Sequence, residues 1–417
     1  MAEHYGGEEQ PQARADNEAI SGPLNGIRVI ELGGVVAASF AARLLADMGA
    51  EVIKIEAPDN PDPLRHWGRV SADGRALWWP IQSRNKKLIT LNLRKPAGAD
   101  LLVRLCAQSD VLIENFRPGT LEKWGLGYDR LAEANPRLVL ARISGFGQTG
   151  PQAHRPGYAA VAEAIGGLRY INGYPDMPPP RFGISLGDSL AGMFTTQGVL
   201  AALHERTNSG RGQVIDTALT ESCLAHMEGA LAEFGYLHEI RKPTGTRLPR
   251  VAPSNLFSSR DGHWIVIAAN QDKMFERLCR VMGRPELIAD ERFCNHSRRG
   301  DNQDEIERIV AEWVAQHDLR EIDALLAEAE IVAGPVYTVA DILNDAQFQA
   351  REAIVVHHME GLGDIPAQGI SPKFSRTPGS IRWAGLWKAG AHNEEVYGGL
   401  LGIAETELVA LKEAKII

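Results

Sequence analysis

Asp188 stands in the string RFGISLGDSLAGMF (residues 181–194), directly after Gly187 and before a helical run containing Leu190, Met193 and Phe194. A carboxylate there has two readings. It caps a helix, or the helix N-terminus keeps it anionic and nucleophilic toward a cleft. A second stretch, ENFRPGTLEKWGLGY (114–128), gathers Asn115, Arg117 and Lys123 around the turn formers Pro118 and Gly119, with Phe116 and Trp124 interleaved. Amide and cationic groups in that setting suit phosphate, and Arg offers the better fork. The string ELGGVVAAS (31–39) places two glycines before a helix, where backbone amides can approach an anion or simply make a tight turn. Glycine is dense again in ISGFGQTGPQAHRPGY (143–158), which implies close backbone approach to a ligand or to another segment.

The elements around these strings read as an alternation. Residues 26–31 (GIRVIE) form a β-branched apolar strand, 37–49 a helix with Phe40, Leu44, Leu45 and Met48 on one face, and 51–56 (EVIKIE) a second strand. Strands at 87–93, 110–113 and 137–143 and a helix at 97–107 continue the pattern, which predicts a doubly wound parallel-sheet α/β domain. In such sheets ligands bind beyond the carboxyl ends of the strands, where the strings at 31–39, 114–128 and 143–158 fall. The character changes after Val214-Ile215-Asp216. A helical stretch over 217–237, a Pro/Gly/Arg-rich segment, a strand pair at 255–259 and 263–268, and helices at 272–282 and 304–330 predict a smaller α+β domain. The expected organisation is a tail at 1–21, a large domain at 22–220, a linker at 221–248, a small domain at 249–335 and a return to the large domain at 336–417.

Composition narrows the function classes. The chain has 417 residues, 44% hydrophobic and 23% charged, with a net charge of -9. That charge argues against a nucleic-acid partner, which requires a basic field. No apolar run reaches the ~20 residues that cross a bilayer, so a membrane partner is not expected. The four cysteines (Cys106, Cys223, Cys279, Cys294) lack metal-ligand spacing and read as buried thiols of a reducing, cytoplasmic compartment. The βαβ unit lacks the G-x-G-x-x-G fingerprint, which counts against a nicotinamide dehydrogenase.

The strings GIRVIEL, LLADMGAEVIKIE, RNKKLITLNL, DVLIENFRPGTLEKWGLGY, ISGFGQTGP, GDSLAGM, ERTNSGRGQVID, RVAPSNLFSSRDGHW and AHNEEVYGGLLG occur in this order. Together they resemble the class III coenzyme A transferases, the family of formyl-CoA transferase and carnitine CoA-transferase, from about Leu24 onward. The resemblance implies that Asp188 is the nucleophile. It also implies that CoA is contacted at Val35, Leu91, Arg94, Asn115, Phe116, Arg117 and Lys123. The fold it implies is a ring-like subunit interlocked with its partner in a homodimer. CoA and its thioesters would be substrates, with neither a metal nor a nucleoside triphosphate required.

Departures from the family pattern shape the remaining expectations. Formyl-CoA transferase has Q-A-G-P after its first strand, where this chain has Val36-Ala37-Ala38-Ser39, and its tetraglycine loop has no match near 249–255. Formyl-CoA and oxalate are therefore not the expected substrates. The α-methylacyl-CoA racemases of the same family use a His in a G-H-D string, and the matching string here is Gly157-Tyr158-Ala159. Transfer is thus favoured over isomerisation or non-catalytic CoA binding. Arg65, His66, Arg69, Arg84, His154 and Arg155 are the candidates for pairing with a second substrate carboxylate.

Overall fold

The computed structural model describes residues 22–417, and the expected tail at 1–21 lies outside them. Two compact units are present, one formed by residues 22–162 with Ile184–Cys223 and Glu352–Ile417, the other by Glu163–Gly183 with Leu224–Arg351.

The first unit is built on a six-stranded parallel sheet. Its strands are β1 (Arg28–Glu31), β2 (Glu51–Glu56), β3 (Lys86–Thr90), β4 (Val111–Glu114), β5 (Val139–Ser144) and β6 (Val214–Ala218), in the spatial order β3-β2-β1-β4-β5-β6. That is the doubly wound order, and it fixes where a ligand can enter. The connections from β1 and β4 leave the sheet in opposite directions, so a crevice opens between their carboxyl ends. β1 pairs with β4 in parallel register, with Ile30 opposite Leu112. The strands are buried on both faces and rich in Val and Ile, as a sheet covered by helices requires. Those helices include α1 (Ala37–Asp47), α2 (Pro96–Cys106) and α3 (Leu186–Ser209).

The C-terminal segment completes this core. Val396, Tyr397, Leu401 and Leu408 are buried in one cluster with Ile30, Ile53 and Leu112. The Tyr397 hydroxyl donates to the Thr90 carbonyl at 2.7 Å, and Asn393 Oδ1 accepts from Thr90 N at 2.9 Å. The same segment carries a hairpin of β10 (Ile354–Met359) and β11 (Gly363–Gln368), where the sequence reads only as loop. The run from 354 to 359 contains His357 and His358, which hide its β-branched residues.

The second unit has a three-stranded antiparallel sheet of β7 (Ser254–Ser258), β8 (Trp264–Ala268) and β9 (Ala333–Pro335). Helices α4 (Asp272–Val281), α5 (Gln303–Val314) and α6 (Leu319–Glu328) pack on it. The single helix expected over 304–330 is two, because the chain turns at residues 315–318 before Leu319. The expected helix over 217–237 is also divided, into Leu219–Leu224 and Ala230–Leu237, after β6 has run on to Ala218.

The cysteines are thiols, but only Cys106, Cys223 and Cys279 are buried; Cys294 is exposed. Among the described residues no helix is long and apolar enough to cross a membrane, and no cluster of potential metal ligands occurs.

Candidate active site

The turn after β1 is fastened from both sides. Asn115, at the end of β4, accepts from Gly34 N through Oδ1 at 3.0 Å and donates through Nδ2 to the Gly34 carbonyl at 2.8 Å. Val35 follows at φ +65°, a left-handed conformation that is unusual for any side chain and rare for a β-branched one. Its amide donates to Asp62 Oδ1 at 3.0 Å. A backbone outlier of this kind costs about 1–3 kcal/mol and persists only where its surroundings impose it.

The imposition comes from a buried charge cluster. Lys54, from β2, donates to Glu31 Oε1 at 2.7 Å and to the Gly33 carbonyl at 2.8 Å, and lies 2.8 Å from Asp62 Oδ2. Lys86, from β3, lies 2.7 Å from Glu31 Oε2 and donates to the Ser39 carbonyl at 2.8 Å. Glu31, Lys54 and Lys86 are inaccessible to solvent, and Asp62 nearly so. Burial works to raise the Glu31 carboxyl, but Lys54 and Lys86 outweigh it and hold the group below the usual carboxylate range. Burial likewise opposes the charge of Lys54, and Asp62 and Glu31 reverse that effect. Lys86 shares its partner and is pushed down to about 8 by burial. Buried ion pairs of this kind contribute little net stability. Their geometric consequence is plain: Asp62 and Lys54 hold residues 33–35 in one conformation.

The other side of the crevice is built from β4 onward. Phe116 N donates to Glu114 Oε2 at 2.6 Å, and Glu114 Oε1 accepts from Arg142 Nε at 2.8 Å. Arg142 also pairs with Glu122 at 2.6 Å, tying the short helix Thr120–Lys123 to β5. Burial pushes the Glu114 carboxyl up to about 7, against the pull of Arg142. Phe116 meets Trp124 edge to face, with ring centroids 5.3 Å apart.

Two adjoining cavities follow from this construction. The first, about 250 Å³, is lined by Leu32, Gly34, Leu91, Arg94, Phe116 and Trp124 among others. The second, about 280 Å³, includes Val35, Asn115, Arg117, Arg155, Tyr158 and Asp188. Gly34 and Phe116 line both. The structure therefore places Leu91 and Arg94 on the first cavity, Asp188, Val35, Asn115 and Arg117 on the second, and Phe116 on both. Lys123 is exposed and lines neither cavity.

Asp188 is not the N-cap of its helix. Ser185 occupies that position and Asp188 is the third residue of α3, half-buried in the first turn. Gly187 allows the turn to sit against the Ala159 carbonyl and the Cys223 thiol, since an added Cβ would meet them at 3.2 and 3.3 Å. Opposite, Gly145 and Gly157 approach so closely that a Cβ on Gly145 would stand 2.8 Å from Gly157 Cα. The first residue of α1, Ala37, lines the same cavity as Asp188. Two helix N-termini thus meet there, a setting that favours negative charge.

Of the six candidates for pairing a second carboxylate, two are already committed. Arg65 pairs with Glu56 at 2.6 Å and Arg84 with Asp47 at 2.5 Å, both buried. His66, Arg69 and His154 are exposed and line neither cavity. Arg155 lines the cavity that contains Asp188. Glu31, Lys54, Asp62 and Lys86 were not among the residues expected at the site. Their signal is a charge inside an otherwise apolar strand (GIRVIEL, EVIKIE), since such a charge must find a partner when the strand is buried.

Comparison with known proteins identifies the family. The family model described as CoA-transferase family III matches residues 24–393. A succinyl-CoA–D-citramalate CoA-transferase from Chloroflexus aurantiacus is 47% identical over 95% of this chain and 98% of its own. A succinyl-CoA:glutarate CoA-transferase from Mus musculus is 32% identical over 88% of this chain and 83% of its own. The crystal structure of a CAIB/BAIF family protein from Brucella suis superposes with a TM-score of 0.79 at 32% identity, over 91% of this chain and all of that one. A family match over residues 24–393, with relatives this similar over nearly the whole chain, makes the chain a member of CoA-transferase family III.

Proposed function

We propose that the chain transfers CoA between an acyl-CoA donor and a free carboxylic acid with Asp188 as the covalent carrier. The observation that supports this reading most directly is the position of Asp188. It lies in the first turn of a 24-residue helix, on a cavity that shares Gly34 and Phe116 with the Leu91–Arg94 cavity.

The Asp188 carboxylate attacks the donor thioester carbonyl and expels CoA thiolate, which leaves a mixed anhydride. The thiolate attacks the aspartyl carbonyl of that anhydride, forming an aspartyl-CoA thioester and releasing the donor acid as carboxylate. The acceptor carboxylate then displaces CoA thiolate from the aspartyl thioester. The thiolate attacks the new acyl carbonyl, which frees Asp188 and completes the exchange. One thioester replaces another, so the equilibrium is nearly balanced, and each covalent step is easier than a direct exchange. CoA would lie across Phe116, with Arg94 and Arg117 near its phosphates and Val35, Leu91 and Asn115 along its path.

Each tetrahedral oxyanion needs a donor. In the glycine loop, Gln148 N already donates to Asp216 Oδ2 at 2.9 Å, so that amide is engaged elsewhere. Gly145 lines the cavity and its amide is the candidate that remains.

The relatives' names pair succinyl-CoA with citramalate or glutarate, which makes succinyl-CoA the first donor to test. An isomerase would need a second base near neutrality on this wall. The wall presents Tyr158 instead, which is 70% exposed. The test is to incubate a branched acyl-CoA in deuterium oxide with and without a free acid, and to read the products by mass. Transfer predicts CoA on the acid and no α-deuterium; α-deuterium without an acceptor, at a comparable rate, would establish the isomerase.

The resemblance also implies a homodimer. The helix Ala230–Leu237 has no buried residue and exposes Leu231, Phe234, Tyr236 and Leu237 by 52–86%, an apolar face of the kind that a second copy covers. Sedimentation at nanomolar concentration should show the dimer persisting.

A further inference from the structure

We infer that Arg155 is the specificity-determining residue for the acyl chain, pairing with the distal carboxylate of a dicarboxylic acid whose other carboxylate exchanges CoA. This rests on the transfer reading given above and names its substrate class.

Three observations carry it. The cavity around Asp188 has two cationic residues in its wall, Arg117 and Arg155. Arg117 follows Phe116 directly, and Phe116 is shared with the Leu91–Arg94 cavity, so Arg117 is on the CoA side. Arg155 belongs to the opposite wall, in the segment that runs through Gly157 and Tyr158 to Ala159. Ala159 is the residue against which Gly187, the neighbour of Asp188, is packed.

The second observation is reach. Ala159 is four positions after Arg155, which limits the separation of their Cα atoms to about 14 Å even when fully extended. Close approach of Gly145 to Gly157 keeps this segment against the end of β5. The Arg155 guanidinium and the Asp188 carboxylate thus belong to residues that line one cavity of about 280 Å³, whose size admits a short diacid such as succinate or glutarate.

The third is preorganisation. The guanidinium lies 5.3 Å from the Phe146 ring centroid, and its Nη1 donates to the neutral Gln152 Oε1 at 2.9 Å. Both contacts restrict its rotamers while leaving its charge to be matched by a ligand, and a planar fork is the group that binds a carboxylate bidentately. The subsite serves both halves of the exchange. After the donor acid leaves, the acceptor occupies the same place, so one Arg selects both acids.

The test uses two exchange reactions that differ only at the distal end of the chain: labelled succinate into succinyl-CoA, and labelled butyrate into butyryl-CoA. The wild-type protein should favour succinate in kcat/KM, and R155Q should lower that preference about 100-fold, chiefly through KM for the diacid. R155K, which retains charge without the fork, should recover part of the preference. R155M serves as a second neutral variant and should repeat the R155Q ratio. A wild-type protein that uses butyrate as well as succinate would overturn the inference. So would variants that slow both exchanges in step. Either result leaves the transfer reading standing, whereas exchange of neither acid by the wild type would remove both.

Discussion

The crevice of the sheet unit and the core of the three-stranded unit solve burial in opposite ways. On the β1–β2–β3 side of the crevice the interior holds Glu31, Lys54, Asp62 and Lys86, joined by ion pairs of 2.7–2.8 Å. In the second unit the interior is Phe257, Ile265, Phe275, Leu278, Ile306, Val310 and Leu326. Its one fully buried cation, Arg299, is satisfied mainly by carbonyls, those of Ala252, Phe293 and Asn270, and by Asp272 at 2.6 Å. An apolar core is held by area and tolerates modest repacking. A charge cluster is held by geometry, and removing one member leaves the others buried and unpaired. The crevice therefore exchanges stability for a fixed turn, and the helical core supplies stability without fixing any reacting group.

The largest expected effect separates chemistry from both. Asp188→Ala should lower exchange by roughly four orders of magnitude or more, as loss of a covalent nucleophile does. Its melting temperature should stay within a few degrees, because a half-buried first-turn residue holds up little of the core. Exchange above a few per cent of the native rate would mean that another group carries the acyl transfer.

Next come two substitutions that contrast the interiors. Lys54→Met leaves Asp62 buried without its cation and Glu31 paired with Lys86 alone, and should cost about 3–5 kcal/mol. It should also reduce kcat/KM at least about 10-fold in the protein that remains folded, since residues 33–35 lose their anchor. Leu278→Ala, in the apolar core, should cost about 2–5 kcal/mol yet leave kcat/KM per folded molecule unchanged. Denaturant titration together with active-site normalised kinetics tells the two apart. If Leu278→Ala impaired kinetics as Lys54→Met does, the division of labour would be wrong.

The same contrast decides what the sequence disclosed. The alternation of strand and helix follows from strands that announce themselves as apolar, β-branched runs, and residues 51–56 are found as read, whereas the order of the strands comes from the structure. Phe116 and Arg117 stand out because glycine, proline and a strand end surround them, whereas Asp188 reads locally as a helix cap and is singled out by the family resemblance. The helical core of the second unit is legible by periodicity, except where the chain turns at 315–318 with no proline to mark the break. The charge cluster is a different case. Glu31, Lys54 and Lys86 lie on three strands far apart in sequence, and Asp62 lies in a loop, so their pairing exists only once the strands are in register. Asn115 shows the same limit, because its amide type is visible while its clamp on Gly34 depends on β1 pairing with β4.

The smallest effect concerns Val35, and it asks whether the fixed turn matters at all. A left-handed conformation costs a non-glycine residue about 1–2 kcal/mol, and glycine would be relieved of it. Glycine also gains freedom in the unfolded chain, worth about 0.5–1 kcal/mol. In addition it forfeits a half-buried side chain packed against Val36, Leu64, Trp79 and Leu88, worth about 1 kcal/mol. These terms nearly cancel, so Val35→Gly should melt within a few degrees of the native protein. Kinetics then carry the information. The Asp62 contact at 3.0 Å would persist, but the turn would no longer be confined to one conformation. The exchange rate should therefore fall roughly 3–10-fold, mainly through KM for the acyl-CoA. A variant that melts several degrees higher and exchanges CoA at the native rate would show that the strained turn is tolerated and not used. In that event the charge cluster beneath it would need another explanation.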